Sequence, residues 1–242
     1  MSSKSHNLLF QRVDLIAGTE FMERLKRTNV LVFGLGGVGS WCAEALVRSG
    51  LGKIGIVDYD TVCESNINRQ VQATSLTVGQ PKAQALEKRL LEINPQCEVN
   101  VWNEFFSKEN SACFNIEKAD YVIDAIDNIP AKLDLIEACF TAGVKLFSSM
   151  GMARKMDPFK IKTAGIWKTQ NCPLAKQVRL GLRERGFSGN FTTVYSDEPP
   201  LPQRENEYES KKLINGSVVT VTASAGMALA SLVLRDLSER QE

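Results

Sequence analysis

The sequence predicts an α/β protein: a Rossmann-like, doubly wound, mostly parallel sheet with an elaborated C-terminal half. Three observations carry that expectation. Short apolar runs alternate with amphipathic stretches of helical length as far as about residue 150, the pattern of strands joined by crossover helices. The loop GLGGVG, Gly34 to Gly39, follows the first apolar run and opens the first long helix, the context that a phosphate-binding turn requires. At 242 residues with 43% hydrophobic content, the chain supports one large core, so a single domain over residues 1–242 is expected.

The elements follow in order. NVLVF predicts a strand at Asn29 to Phe33, and SWCAEALVRSG predicts an amphipathic helix at Trp41 to Ser49. Strands are expected at Lys53 to Val57, Glu98 to Trp102, Tyr121 to Asp124 and Val144 to Ser148, with helices at Lys82 to Ile93 and Ala131 to Ala142 between them. Beyond residue 150, KIKTAGI, NFTTVYS and SVVTVT read as further strands, and PLAKQVRLGLRERG as a helix starting at Pro173. The stretch Ser196 to Lys212, SDEPPLPQRENEYESKK, is too long and polar for a turn and reads as a mobile flap or crossover.

The glycine loop by itself says only nucleotide. Gly34, Gly36, Gly37 and Gly39 let backbone approach a phosphate at a helix N-terminus, and Asp58 ends the next strand where a carboxylate can hold a ribose. An NAD-dependent oxidoreductase fits that much equally well. SNINRQ, GQPK and DAIDN break the tie, because they add Asn66, Arg69, Lys82, Asp127 and Asn128. Attack on the α-phosphate of ATP needs cations on the phosphate tail and a carboxylate suited to magnesium; hydride transfer needs neither.

Composition narrows the field further. A net charge of +1 gives no global nucleic-acid signature. Residues 151–186 nevertheless carry nine basic residues against Asp157 and Glu184, a local patch suited to phosphodiesters or, alternatively, a solvated helix face. Six cysteines at positions 42, 63, 97, 113, 139 and 172 form no CxxC pair, which argues for reduced thiols in a cytoplasmic setting. Cys172, before a helix start, is the one thiol considered for thioester chemistry; packing at the helix entrance is favoured. The N-terminus has no signal-peptide core. Leu213 to Leu234 is uncharged and long enough to span a membrane, but its turn, alternating and small-residue textures favour a packed core segment, so no span is expected.

Together, GLGGVGS, VDYDTVCESNINRQ, GQPKA and DAIDN resemble the ThiF-like adenylating superfamily of ubiquitin-activating enzymes and the bacterial activators of sulfur-carrier proteins. LFQRVDLIAG is similar to the superfamily opening, with Leu9 where an arginine is usual. SSMGMARKMDP, the basic stretch after it and VYSDEPP resemble the tRNA threonylcarbamoyladenosine dehydratase branch.

The resemblance implies one adenylating domain, with a nucleotide-binding half at about 9–150 and a substrate-side half at about 151–242. It implies ATP and magnesium, the latter on Asp127, with a monovalent cation known to such relatives. Arg12, Arg69, Lys82 and Asp127 become the catalytic set, and Arg12 reaches across a homodimer to the neighbour's phosphates. tRNA is the implied substrate, contacted by Arg154, Lys168, Lys176, Arg179 and Arg183. A cysteine desulfurase and a sulfur-acceptor protein are implied partners. Adenylation of a ubiquitin-like or sulfur-carrier C-terminus, an oxidoreductase and a non-catalytic scaffold stay as alternatives.

Overall fold

The computed structural model describes residues 8–202 and 215–239. Two short helices open it, α1 (Gln11–Ala17) and α2 (Thr19–Arg27), the second burying Phe21 and Leu25. There follow β1 (Asn29–Phe33), α3 (Gly39–Arg48), β2 (Lys53–Val57), α4 (Lys82–Ile93), β3 (Glu98–Trp102), β4 (Tyr121–Asp124), α5 (Ile129–Ala142) and β5 (Lys145–Ser149). The chain continues through β6 (Ile161–Gly165), α6 (Pro173–Glu184), β7 (Thr192–Ser196) and α7 (Val219–Glu239).

The strands form one seven-stranded sheet in the order β3-β2-β1-β4-β5-β7-β6. Every pairing is parallel except β6 with β7. Val30 pairs with Ile54 on one side and with Tyr121 on the other, so β1 lies where the strand order reverses. The central strands are buried on both faces, which is why NVLVF and YVID read as continuous apolar runs rather than alternating ones. One core, with Leu46, Leu86 and Leu229, lies under α3, α4 and α7. The opposite core joins Leu135 and Val178 of α5 and α6 to Phe33, Phe106 and Phe114, whose ring centroids stand 5.1 to 5.4 Å apart.

The expected α/β architecture is observed, with helices α3 and α5 starting two residues earlier than the sequence suggests. One element is of the wrong type: SVVTVT is not a strand. Val219 to Thr222 form the first turn of α7, where burial of Val221, Thr222, Ala225, Leu229, Val233 and Leu237 outweighs the weak strand preference of β-branched residues. Gly226 lets this helix lie against α3, since a Cβ there would meet the Val38 carbonyl at 2.5 Å. The 21-residue helix has the length and apolarity of a membrane span, yet one face is buried in this core. Residues 203–212 of the expected flap lie outside the described residues.

Candidate active site

A cleft of about 770 Å³ opens at the carboxyl ends of the strands, at the reversal point between β1 and β4. It is the place where open α/β sheets bind ligands. Gly34, Gly36, Gly37, Asp58, Asn66, Arg69, Lys82, Asp127 and Asn128 all line it, gathered from four separate stretches of sequence.

The glycine loop turns at Gly34, with φ +87°, and a Cβ at Gly39 would stand 1.9 Å from the Gly34 carbonyl, so the tight strand-to-helix turn excludes larger residues. Asp58 receives the Leu35 N–H at 2.6 Å and the Asp60 N–H at 2.9 Å, one on each carboxylate oxygen. Those bonds fix the carboxylate's orientation and leave further lone pairs to accept hydroxyl donors. Burial pushes the Asp58 pKa up, opposed by the Lys82 cation and the two N–H donors.

Lys82 is itself buried, and its ammonium stands 2.7 Å from an Asp60 carboxylate oxygen. The Lys82 N–H also donates to the Asp60 carbonyl, so the start of α4 is tied to the end of β2. Asp60 is thus a site residue that the motifs do not name; its place two residues after Asp58 is the one signal the sequence offers for it. The Asn66 amide oxygen accepts the Cys63 N–H at 3.1 Å, and the Asn66 carbonyl receives the Arg69 and Gln70 N–H groups. Arg69 donates to the Ser65 carbonyl at 2.7 Å and to Asn68 at 2.9 Å, while its carbonyl accepts the Trp41 indole N–H. Burial lowers the Arg69 pKa, and the neighbouring Asp127 charge opposes that.

Asp127 is exposed on the loop after β4. Asn128 also caps α5, its side chain accepting the Ala131 N–H at 3.1 Å. Asp124, at the start of the same DAIDN motif, is fully buried and pairs with the buried Lys132 at 2.7 Å. It also accepts the Ser148 hydroxyl and the Ile126 N–H, while Lys132 donates to the Ile126 carbonyl. Ile126, next to Asp127, is thus held on both sides by one buried ion pair. Nothing in the amphipathic pattern of α5 marked Lys132 for this role.

The substrate-side residues are less uniform. Arg154 lines the cleft. Lys168 and Lys176 are exposed but lie outside the cleft lining. Arg179, expected beside Arg183 on an outward phosphate-binding face, is half-buried and bonded to the Thr169 hydroxyl and carbonyl. The Arg183 guanidinium sits 5.5 Å from the Trp167 ring centroid, and the Trp167 indole donates to the Gly189 carbonyl. Local packing therefore already engages both arginines. Cys172 is buried and caps α6, accepting the Ala175 N–H at 3.5 Å. Arg12 stands apart, exposed on α1 and outside the cleft lining.

The ThiF family model matches residues 9–242. A tRNA threonylcarbamoyladenosine dehydratase of Bacillus subtilis is 40% identical, over 94% of this chain and 94% of its own. The crystal structure of E. coli tRNA N6-threonylcarbamoyladenosine dehydratase, TcdA, in complex with ATP superposes with a TM-score of 0.88 at 32% identity, covering 98% of this chain and 96% of that one. The AMP complex of the same enzyme gives a TM-score of 0.89 at 32% identity, with the same coverage. With the motifs, the sheet order and the cleft in agreement, this chain belongs to the ThiF family, on the branch of the tRNA threonylcarbamoyladenosine dehydratases.

Proposed function

We propose that this chain catalyses the ATP-dependent cyclodehydration of threonylcarbamoyladenosine in tRNA. The observation that carries the reading is the convergence of the glycine loop, Asp58, Asn66, Arg69, Lys82 and Asp127 on one cleft. A carboxylate oxygen of the threonyl group attacks the α-phosphorus of ATP, and the bond to pyrophosphate breaks. An internal nitrogen then attacks the acyl carbon, AMP leaves, and the ring closes with net loss of one water. No protein thiol takes part, in keeping with the buried capping role of Cys172.

Asp58 holds the ribose through its remaining lone pairs, the glycine loop and the N-terminus of α3 face the phosphates, and Arg69 and Lys82 neutralise the tail. Magnesium fits at Asp127, an exposed carboxylate that lines the cleft and has no hydrogen bond or ion pair among the described residues. When bound there it supplies charge neutralisation on the triphosphate. No residue is assigned to a monovalent cation.

Assembly as a homodimer belongs to the same reading. Leu15 and Ile16 are 79% and 90% exposed on the helix that carries Arg12, so an apolar contact there would bring Arg12 to a second copy. Mixing inactive Arg12→Ala with inactive Lys82→Ala should then rebuild some active sites. tRNA contacts fall to Arg154, Lys168 and Lys176 before Arg179 and Arg183, which have internal partners. A cysteine desulfurase and its sulfur acceptor would dock outside the cleft, since ring closure consumes no sulfur. A cytoplasmic, reducing setting suits the six free thiols.

The deciding experiment is mass spectrometry of tRNA nucleosides after incubation with ATP and magnesium. Loss of one water from threonylcarbamoyladenosine supports the reading. Adenylation of a diglycine-tailed carrier protein without any change in tRNA would replace it.

A further inference from the structure

We infer that Arg154 binds the carboxylate that is to be adenylated, and so selects the modified nucleoside rather than the tRNA backbone; the inference rests on the dehydratase reading. The side of the same cleft nearest β5 and α6, its second lobe, includes Met150, Met152, Arg154, Lys155, Pro173 and Leu174 in its lining. Apolar groups dominate that list, so an anionic group entering the lobe needs a cation to meet it.

Among the described residues four cations line the cleft, and three are engaged. Arg69 is held by Ser65 and Asn68, Lys82 by Asp60, and Lys155 by the Ser196 and Glu198 carbonyls. The Arg154 guanidinium has no hydrogen bond or ion pair among the described residues.

The backbone at this position is also unusual. Only Asn115, Arg154 and Asn171 combine a side chain with positive φ among the described residues, and asparagine adopts that region far more readily than arginine. Arg154, at φ +58°, is kept there by its surroundings. Its N–H donates to the Gly216 carbonyl at 2.8 Å, and its carbonyl accepts the Leu201 N–H at 2.7 Å. On its C-terminal side, the Met156 and Asp157 N–H groups donate to the Glu198 carboxylate, and Lys155 anchors the same segment. A strained residue whose backbone is fixed by so many bonds, lining a cleft and with no side-chain partner among the described residues, points to a ligand. The planar guanidinium fork suits a carboxylate, and its charge offsets the repulsion between that carboxylate and the triphosphate.

Arg154→Asn separates this role from a structural one, because asparagine keeps the left-handed backbone and its two main-chain bonds. Melting temperature and ATP affinity should stay at or above wild-type values. kcat/KM for modified tRNA should fall on the order of 10- to 100-fold, the loss expected for a charge-assisted hydrogen bond. Wild type should bind modified tRNA more tightly than unmodified tRNA, and the variant should bind both alike with an unchanged salt slope. Arg154→Lys should recover part of the loss. Equal weakening toward both tRNAs, with the slope reduced by about one, would mean a phosphate contact and overturn the inference. So would full activity of the asparagine variant, or a lowered melting temperature in both Arg154→Asn and Arg154→Gly. If wild type forms no cyclised nucleoside, the dehydratase reading fails first and takes this inference with it.

Discussion

The two lobes of the cleft are built differently. On the β1, β2 and β4 side, the anchors of each functional group lie at most 23 residues away along the chain: Asp58 on Leu35 and Asp60, Lys82 on Asp60, Arg69 on Ser65 and Asn68. On the β5 and β7 side, position depends on bonds between distant segments, such as Lys155 to Ser196 and Arg154 to Gly216. Chemistry common to many substrates is held by local bonds together with tertiary contacts of moderate sequence span. The lobe that would distinguish one substrate from another is held by contacts that reach further along the chain.

The largest effect should come from the first lobe. Asp127→Asn should lower pyrophosphate release by about 10²- to 10³-fold, the usual scale for losing one preorganised electrostatic contact, while leaving the melting curve intact. Wild-type pyrophosphate release by this variant would remove Asp127 from the site and blur the contrast between the lobes.

Next in size is the support beneath it. Removing one partner of a buried ion pair typically costs about 3–5 kcal/mol, so Lys132→Met should strongly destabilise the chain in denaturant melts. It should also loosen the loop through Ile126. A near-neutral result would show that Asp124 finds another partner and that the first lobe does not stand on this pair.

A smaller effect concerns pH. Burial raises the Asp58 pKa, so its carboxylate takes up a proton at a higher pH than an ordinary aspartate. The protonated form is the poorer hydroxyl acceptor. ATP affinity should therefore fall as pH is lowered through that raised value, before typical carboxylates titrate. Asp58→Asn, weak at every pH, should lose the dependence; calorimetric titration with ATP from neutral to mildly acidic pH measures both.

The smallest effect tests the outer surface of the second lobe. Lys168→Ala with Lys176→Ala should weaken modified and unmodified tRNA alike and reduce the salt slope by about two, with stability unchanged. An unchanged slope would make these lysines solvated surface charges and leave Arg154 as the main cation on that side.

This contrast also explains what was legible in the sequence. The five parallel strands of the first half could be read because each is a short stretch rich in apolar residues, alternating with polar ones in β3, bounded by turn chemistry, and the nucleotide motifs because spacing alone brings them to the strand ends. The start of α7 could not, since its β-branched residues favour a strand until α3 and the sheet bury them. Lys132 and Lys155 were invisible for a related reason: a lysine on an amphipathic helix or in a basic stretch reads as solvated, and only the folded chain shows the acid or carbonyls that hold it. Charge counting likewise overstated the basic patch, because Arg179, Arg183 and Arg185 are engaged by Thr169, Trp167 and the pair Asp134 and Glu137.

The pairing of Lys82 with Asp60 bears on turnover as well as on binding. In the proposed reaction the lysine exchanges one anion for another, leaving Asp60 as the triphosphate arrives and returning as pyrophosphate departs. Its charge has a resting partner at either end of the cycle, so the product need not stay behind to satisfy it. An aspartate two residues from the ribose carboxylate would in this way set how quickly the cleft empties for the next ATP.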